Sequence, residues 1–143
     1  MAEKITQNGF LSGTNGTLWV NGRVLAELSS YEAKVTGAFD DVDCCGEYAT
    51  YQQYHGYKID GTITIHKVDS ALAVEVERGY TSGIMPEITL TSKHENPSTG
   101  AAERIAIRNV VITEFTAAKF EAKSVTNVDF PFTGTRLEYL EEI

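Results

Sequence analysis

The stretch Tyr57-Lys58-Ile59-Asp60-Gly61-Thr62-Ile63-Thr64-Ile65-His66 decides the fold, because every second residue in it is apolar or small. A strand turns successive side chains to opposite faces. Tyr57, Ile59, Gly61, Ile63 and Ile65 therefore share one face, and Lys58, Asp60, Thr62, Thr64 and His66 share the other. The first face belongs in a core, the second in water or against a partner. Just beyond, the period changes. Ala71, Leu72, Val74, Val76 and Tyr80 lie near helical spacing, which predicts a helix over about 69–80. Asp69-Ser70 are its cap candidates and Gly79 or Gly83 its end. All other strong patterning has period 2. The expectation is a mainly β fold, a barrel or sandwich of antiparallel strands with one flanking helix.

Outward from that stretch, Ser12-Gly13-Thr14-Asn15-Gly16 is turn chemistry, and residues 1–10 read as a loose polar arm. Thr17-Leu18-Trp19-Val20 reads as a strand, Asn21-Gly22 as a type I′ hairpin turn, and Arg23–Leu28 as the returning strand, continuing through Tyr31, Ala33 and Val35. After the helix, Pro86–Lys93 is a strand with Ile88 and Leu90 inward, and His94–Ala101 is a surface loop. Glu103–Phe115 sets Ile105, Ile107 and Val111 against Arg104, Arg108 and Ile112. Ala117–Ala122 fits a strand or a helical turn. Val125–Thr133 turns Val128, Phe130 and Phe132 to one face, and Pro131, lacking a donor, favours an edge. Leu137–Ile143 reads as an acidic tail. The whole chain, 1–143, forms a single domain.

Gly37–Gly56 is different. It holds Phe39, Asp40, Asp41 and Asp43, then Tyr48, Tyr51 and Tyr54, with no clear periodicity. About twenty residues without a period are uncommon inside a compact domain and point to function. Tyrosines in a polar loop suit a contact surface, since a rigid amphipathic ring buries area at low entropic cost. The other open reading is a long irregular hairpin whose tyrosines cover the end of the barrel.

Composition removes several classes of function. The formal net charge of −8 argues against a basic face that grips phosphates, though an acidic surface suits a place where DNA must pass without sticking. No apolar run approaches the roughly 18 residues that cross a bilayer, and Met1-Ala2-Glu3-Lys4-Ile5 lacks the regions of a signal peptide, so synthesis and assembly are expected in the cytoplasm. Cys44 and Cys45 are adjacent, a poor geometry for a disulfide, and read as ordinary reduced cysteines. His55, His66 and His94 fall in separate segments, which predicts no metal site. Gly13–Gly16 lacks the lysine of a phosphate-binding loop, and no serine sits in a nucleophile elbow. No cofactor and no catalytic residues are expected.

The order of these elements resembles the tail tube proteins of contractile phage tails, of the type found in Gram-positive prophages and phage-tail-like bacteriocins. The likeness is carried by Leu11–Gly22 with Tyr31–Val35, by Gly56–Val68 running into the helix, by Glu103–Val110, and by Asp129–Gly134. Asp43-Cys44-Cys45-Gly46 departs from the pattern. The resemblance implies a structural subunit and not an enzyme. Six copies would join sheets into a ring, rings would stack into a hollow conduit for DNA, and sheath, baseplate and terminator proteins would be partners. It also implies residence in a virion or tail particle. Under it, Phe39, Asp40, Asp41, Asp43, Tyr48, Tyr51 and Tyr54 become contacts between subunits or rings, and Asp60, Thr62 and Thr64 a lumen or interface face. The competing reading is a small-ligand-binding barrel of lipocalin type, with Gly37–Gly56 as its lid.

Overall fold

The computed structural model describes residues 9–143, so most of the arm expected over residues 1–10 lies outside the described residues. Among these residues, after a 3-10 turn at Gly13–Asn15, eight strands and one α-helix follow one another: β1 (Gly16–Val20), β2 (Arg23–Val24), β3 (Leu28–Asp43), β4 (Thr50–His66), α1 (Ala71–Ser82), β5 (Ile88–Glu95), β6 (Ala102–Ile112), β7 (Asn127–Gly134) and β8 (Arg136–Glu141). All pairings are antiparallel, in the order β2-β1-β5-β6-β7-β4-β3, with β8 also on β6. The sheet does not close on itself, so of the two expected architectures the closed barrel is absent.

The decisive stretch behaves as its alternation requires. Ile59, Ile63 and Ile65 are buried, while Asp60, Thr62 and Thr64 lie on the opposite face. Val128, Phe130 and Phe132 of β7 join them from one side, and Leu18, Val20, Leu90 and Ile107 from β1, β5 and β6. Leu72 and Val76 bring α1 onto the same core. The helix starts two residues later than expected. Asp69, not Ser70, supplies the capping oxygen, accepting from the Ala71 N–H at 3.1 Å. Gly83 ends it in the left-handed region with φ 76°, while Gly79 stays helical and buried.

Four expectations over the rest of the body need correction. Asn21 and Gly22 do make the tight turn, with φ 52° and 84°, but the return strand is only Arg23–Val24. The chain then leaves β1 to begin β3 beside β4. In β6 it is Val110 and Ile112 that are buried, and Val111 that is exposed. Asn109 has φ 55°, and β6 uses one more residue than β5 between the pairs Leu90–Ile107 and Ile88–Val110. Such a bulge reverses the alternation beyond it. Here it also marks a change of partner, from β8 over Arg104–Arg108 to β7 over Val111–Ile112. Ala117–Ala122 is neither strand nor helix but part of an irregular segment over 113–126. The supposed acidic tail is strand β8, paired with β6.

Pro131 is less at an edge than expected, since β7 has β4 and β6 on its two sides. Its carbonyl accepts from the Thr113 N–H, one residue past the end of β6. The amide and carbonyl of one strand residue point the same way, so the missing donor faces the side where the ladder has run out.

Tyr31 stacks on Phe132, ring centres 5.9 Å apart and planes 7° off parallel. Burial pushes its hydroxyl from 10.0 up to about 12. In the unfolded chain the phenol ionises first, so the folded state loses its advantage as pH rises from 10 toward 12. Two units correspond to about 2–3 kcal/mol of stability, fully present below pH 10. Denaturant midpoints should fall across that window, and Tyr31→Phe should flatten the fall.

Candidate functional site: a hairpin arm and a polar sheet face

Gly37–Gly56 is not an irregular loop. It is the outer part of one long hairpin, in which β3 and β4 stay paired from Leu28–Ile65 out to Asp43–Thr50. β7 covers β4 only from Ile59 to His66, so beyond Ile59 the two strands leave the body as a free ribbon. No residue from 36 to 58 is buried. Where neither face is buried, nothing selects an alternating pattern, which is why periodicity failed there. The six residues Cys44–Ala49 make the turn at the tip, with Gly46 at φ 83°.

The ribbon gathers the expected contact residues. Phe39 and Tyr54 are cross-strand partners with ring centres 5.5 Å apart and both half exposed. Their side continues the core face of β3, past Val35 and out into solvent. Below them the Tyr57 hydroxyl donates to the Thr135 carbonyl at 2.9 Å and ties the base of the ribbon to the body. Farther out on the same side, the Gln52 amide donates to Asp41, and the Thr50 hydroxyl donates to Asp43 at 2.8 Å. The other side carries Val42 beside Tyr51, and Asp40, whose carboxylate lies 2.7 Å from His55 Nε2. His55 is the extra residue of a bulge between Ala38–Gly56 and Phe39–Tyr54. Tyr48 stands fully exposed at the tip, near the exposed, unbridged Cys44 and Cys45.

Asp60, Thr62 and Thr64 belong to a second surface nearer the body. Across β3 they face Lys34, Glu32 and Ser30, and across β7 Thr133, Pro131 and Asp129. The Thr64 hydroxyl donates to Asp129 at 2.7 Å, and Lys58 lies 3.9 Å from Asp60. Apart from Pro131 this face is polar, and among the described residues no strand lies beside the outer edge of β3.

Sequence reasoning missed three surfaces. β8 was signalled by Leu137 and Tyr139 alternating with Arg136 and Glu138, and its carboxylates hold the basic residues of β6: Arg108 donates to Glu138 at 3.1 Å. An open groove of about 860 Å³ lies where β1 outruns β2, lined by Leu18, Leu25, Leu28, Tyr31 and His94 among others. The segment over 113–126 exposes Phe120 and Val125, which no period announced. No group of three His, Cys, Asp or Glu residues able to hold a metal forms among the described residues. Nor is any helix among them long and apolar enough to cross a membrane.

With this geometry in place, comparison with known proteins is specific. Phage-like element PBSX protein XkdM of Bacillus subtilis (strain 168) is 27% identical over 138 residues, covering 93% of this chain and 92% of that one. The uncharacterized protein YqbM of the same strain is 26% identical over the same span. Among solved structures, the sheath/tube terminator of an extracellular contractile injection system superposes with a TM-score of 0.72 at 9% identity, covering 91% of this chain and 96% of that one. The tube-terminating cap of the anti-feeding prophage also gives 0.72, at 10% identity, covering 99% and 97%. At such identities these two likenesses speak to the fold alone. The sequence family described as phage tail tube protein matches residues 3–141, nearly the whole chain, and the chain belongs to that family.

Proposed function

We propose that the chain is the repeating subunit of a tail tube, six copies to a ring and rings stacked into a conduit. The observation that carries this is the hairpin arm, a two-stranded ribbon bare on both faces and both edges. An isolated ribbon of that kind is marginal in water and gains its stability from what it packs against. The free edge of β3 gives a ring its lateral contact, since pairing edge to edge with the next copy removes exposed backbone groups. The polar face of β3, β4 and β7 then lines the lumen. It holds Glu32, Asp60 and Asp129 against Lys34 and Lys58, an acidic excess that keeps DNA phosphates from sticking. Sheath, terminator and baseplate proteins are the further partners. The role is structural, not enzymatic, in a particle assembled in the host cytoplasm.

The lipocalin-type alternative requires a closed wall around an empty interior. The sheet is open, and Ile59, Ile63, Leu90, Phe130 and Phe132 fill the space between its halves.

Negative-stain microscopy of concentrated protein should show rings or tubes. A species that stays monomeric at every concentration, with no partner able to polymerise it, would sink the proposal. The lumen face has its own test. Thr62→Lys sits on a polar face and should change folding stability by less than about 0.5 kcal/mol. Repeated around a ring it should impair assembly or retard DNA, because it crowds like charges and attracts phosphate. Circular dichroism and particle counts on one preparation separate the two effects, and normal assembly with normal DNA passage would make this face ordinary surface.

A further inference from the structure

The arm and the irregular 113–126 segment lie at opposite ends of the same strands. At one end of β4, Thr50 pairs with Asp43 beside the arm tip; at the other, His66 pairs with Asn127, where the segment enters β7. At about 3.3 Å per residue the 17 residues of β4 separate these ends by roughly 50 Å. Lys67 holds the segment against the far end. Its amide donates to the Thr126 carbonyl at 2.8 Å, and its Nζ donates to the Ala117 carbonyl at 3.3 Å.

The two ends differ in character. The arm carries Asp40, Asp41, Asp43 and Glu47 around the apolar rings of Phe39, Tyr51 and Tyr54. The far end exposes Val68 at 77%, Phe120 at 89% and Val125 at 73%, flanked by Lys67, Lys119 and Lys123. Neither Lys119 nor Lys123 forms an ion pair with a described residue. Glu114 and Glu121 lie in the same segment, Asp69 lies two residues past Lys67, and the Glu27 carbonyl accepts from the His66 N–H. Asp69 is turned into the helix cap.

We propose that the arm of one copy seats on the Lys67, Lys119, Lys123, Phe120 and Val125 surface of the next. The occupant is a second copy because each chain supplies both halves, acidic aromatic at one end and lysine-flanked apolar at the other. Matching them joins unlike surfaces. Such a head-to-tail contact, displaced along one axis, repeats without closing. The inference rests on the tube reading and adds to it the surface that receives the arm.

Two charge swaps and their combination test it. Asp40→Lys with Asp43→Lys should cut the mass of tube by at least about tenfold while rings still form. Lys119→Glu with Lys123→Glu should do the same. The chain carrying all four should regain tubes, since its arm and seat are again opposite in sign. Independently, Ser124→Cys should link to Cys44 or Cys45 of a neighbouring copy when diamide takes the two electrons and protons of the thiol pair. Cys44→Ser with Cys45→Ser should abolish that link. Full-length tubes from a swapped seat, or no recovery in the fourfold variant, would overturn the seat and leave the tube reading standing. A wild-type chain that builds neither rings nor tubes would end both.

Discussion

A chain in which residues 38–56 are replaced by Asn-Gly should fold and build no tube. Gly37 and Tyr57 are cross-strand partners, and a two-residue Asn-Gly loop is the connection that suits them. None of the removed residues is buried, so the core keeps all its packing. The melting temperature should move by only a few degrees. Assembly should fail outright, because the stacking contact has lost its donor half. Sedimentation would then give single rings or free subunits where the full chain gives fast, polydisperse material. Tubes formed without the arm would move the stacking contact elsewhere on the body.

The largest effect on stability is expected at Phe132. Its ring is buried, stacks on Tyr31 of β3, lies opposite Gly61 of β4 and pairs with Ile112 of β6. Gly61 has no side chain because there is no room for one: an added Cβ would stand 2.8 Å from Phe132 Cζ and 2.9 Å from the Ala33 Cα. Phe132 thus joins β3, β4 and β7 to β6, which pairs with β7 at Val111–Thr133 and Ile112–Phe132. Phe132→Ala should cost about 3–5 kcal/mol, burial lost plus a cavity that the surrounding strands cannot collapse into. That is a large share of the roughly 5–15 kcal/mol that holds a domain folded. Urea unfolding should show it as a lower midpoint with little change in slope, and Phe132→Leu should lose less. A loss below about 1 kcal/mol would mean that the two sides are joined elsewhere.

Where a strand is regular and one of its faces buried, the sequence announced it. Ile59, Ile63, Ile65, Val128, Phe130 and Phe132 could be placed inward by alternation alone, and Leu72 and Val76 by helical spacing. Period 2 records one-sided burial and nothing else. It therefore vanished along the arm, where Phe39, Asp41 and Asp43 meet only their cross-strand partners and no core. The β-forming residues Tyr48, Thr50, Tyr51 and Tyr54 and the turn glycine Gly46 were the surviving signals. In β6 the period was real but broken at Asn109, and one residue at φ 55° was enough to exchange Val111 with Ile112. The residues of the arm stood out as a group by composition, though as an unpatterned loop and not as a paired ribbon. Their pairing across the ribbon depends on partners on the opposite strand that a local pattern does not encode.

The fifteen cross-strand pairs of β3 and β4 run from the core to the arm tip, with register shifts only between Leu28 and Ser30 and at the His55 bulge. Were the proposed stack to run along this ladder, a push on the tip would act along the strands and across their hydrogen bonds. Bonds loaded in shear share the force and must fail together; bonds pulled apart one by one fail in sequence. In the proposed stack the hairpin would work as a strut anchored in the core at its base, resisting compression without any chemistry beyond the backbone amide.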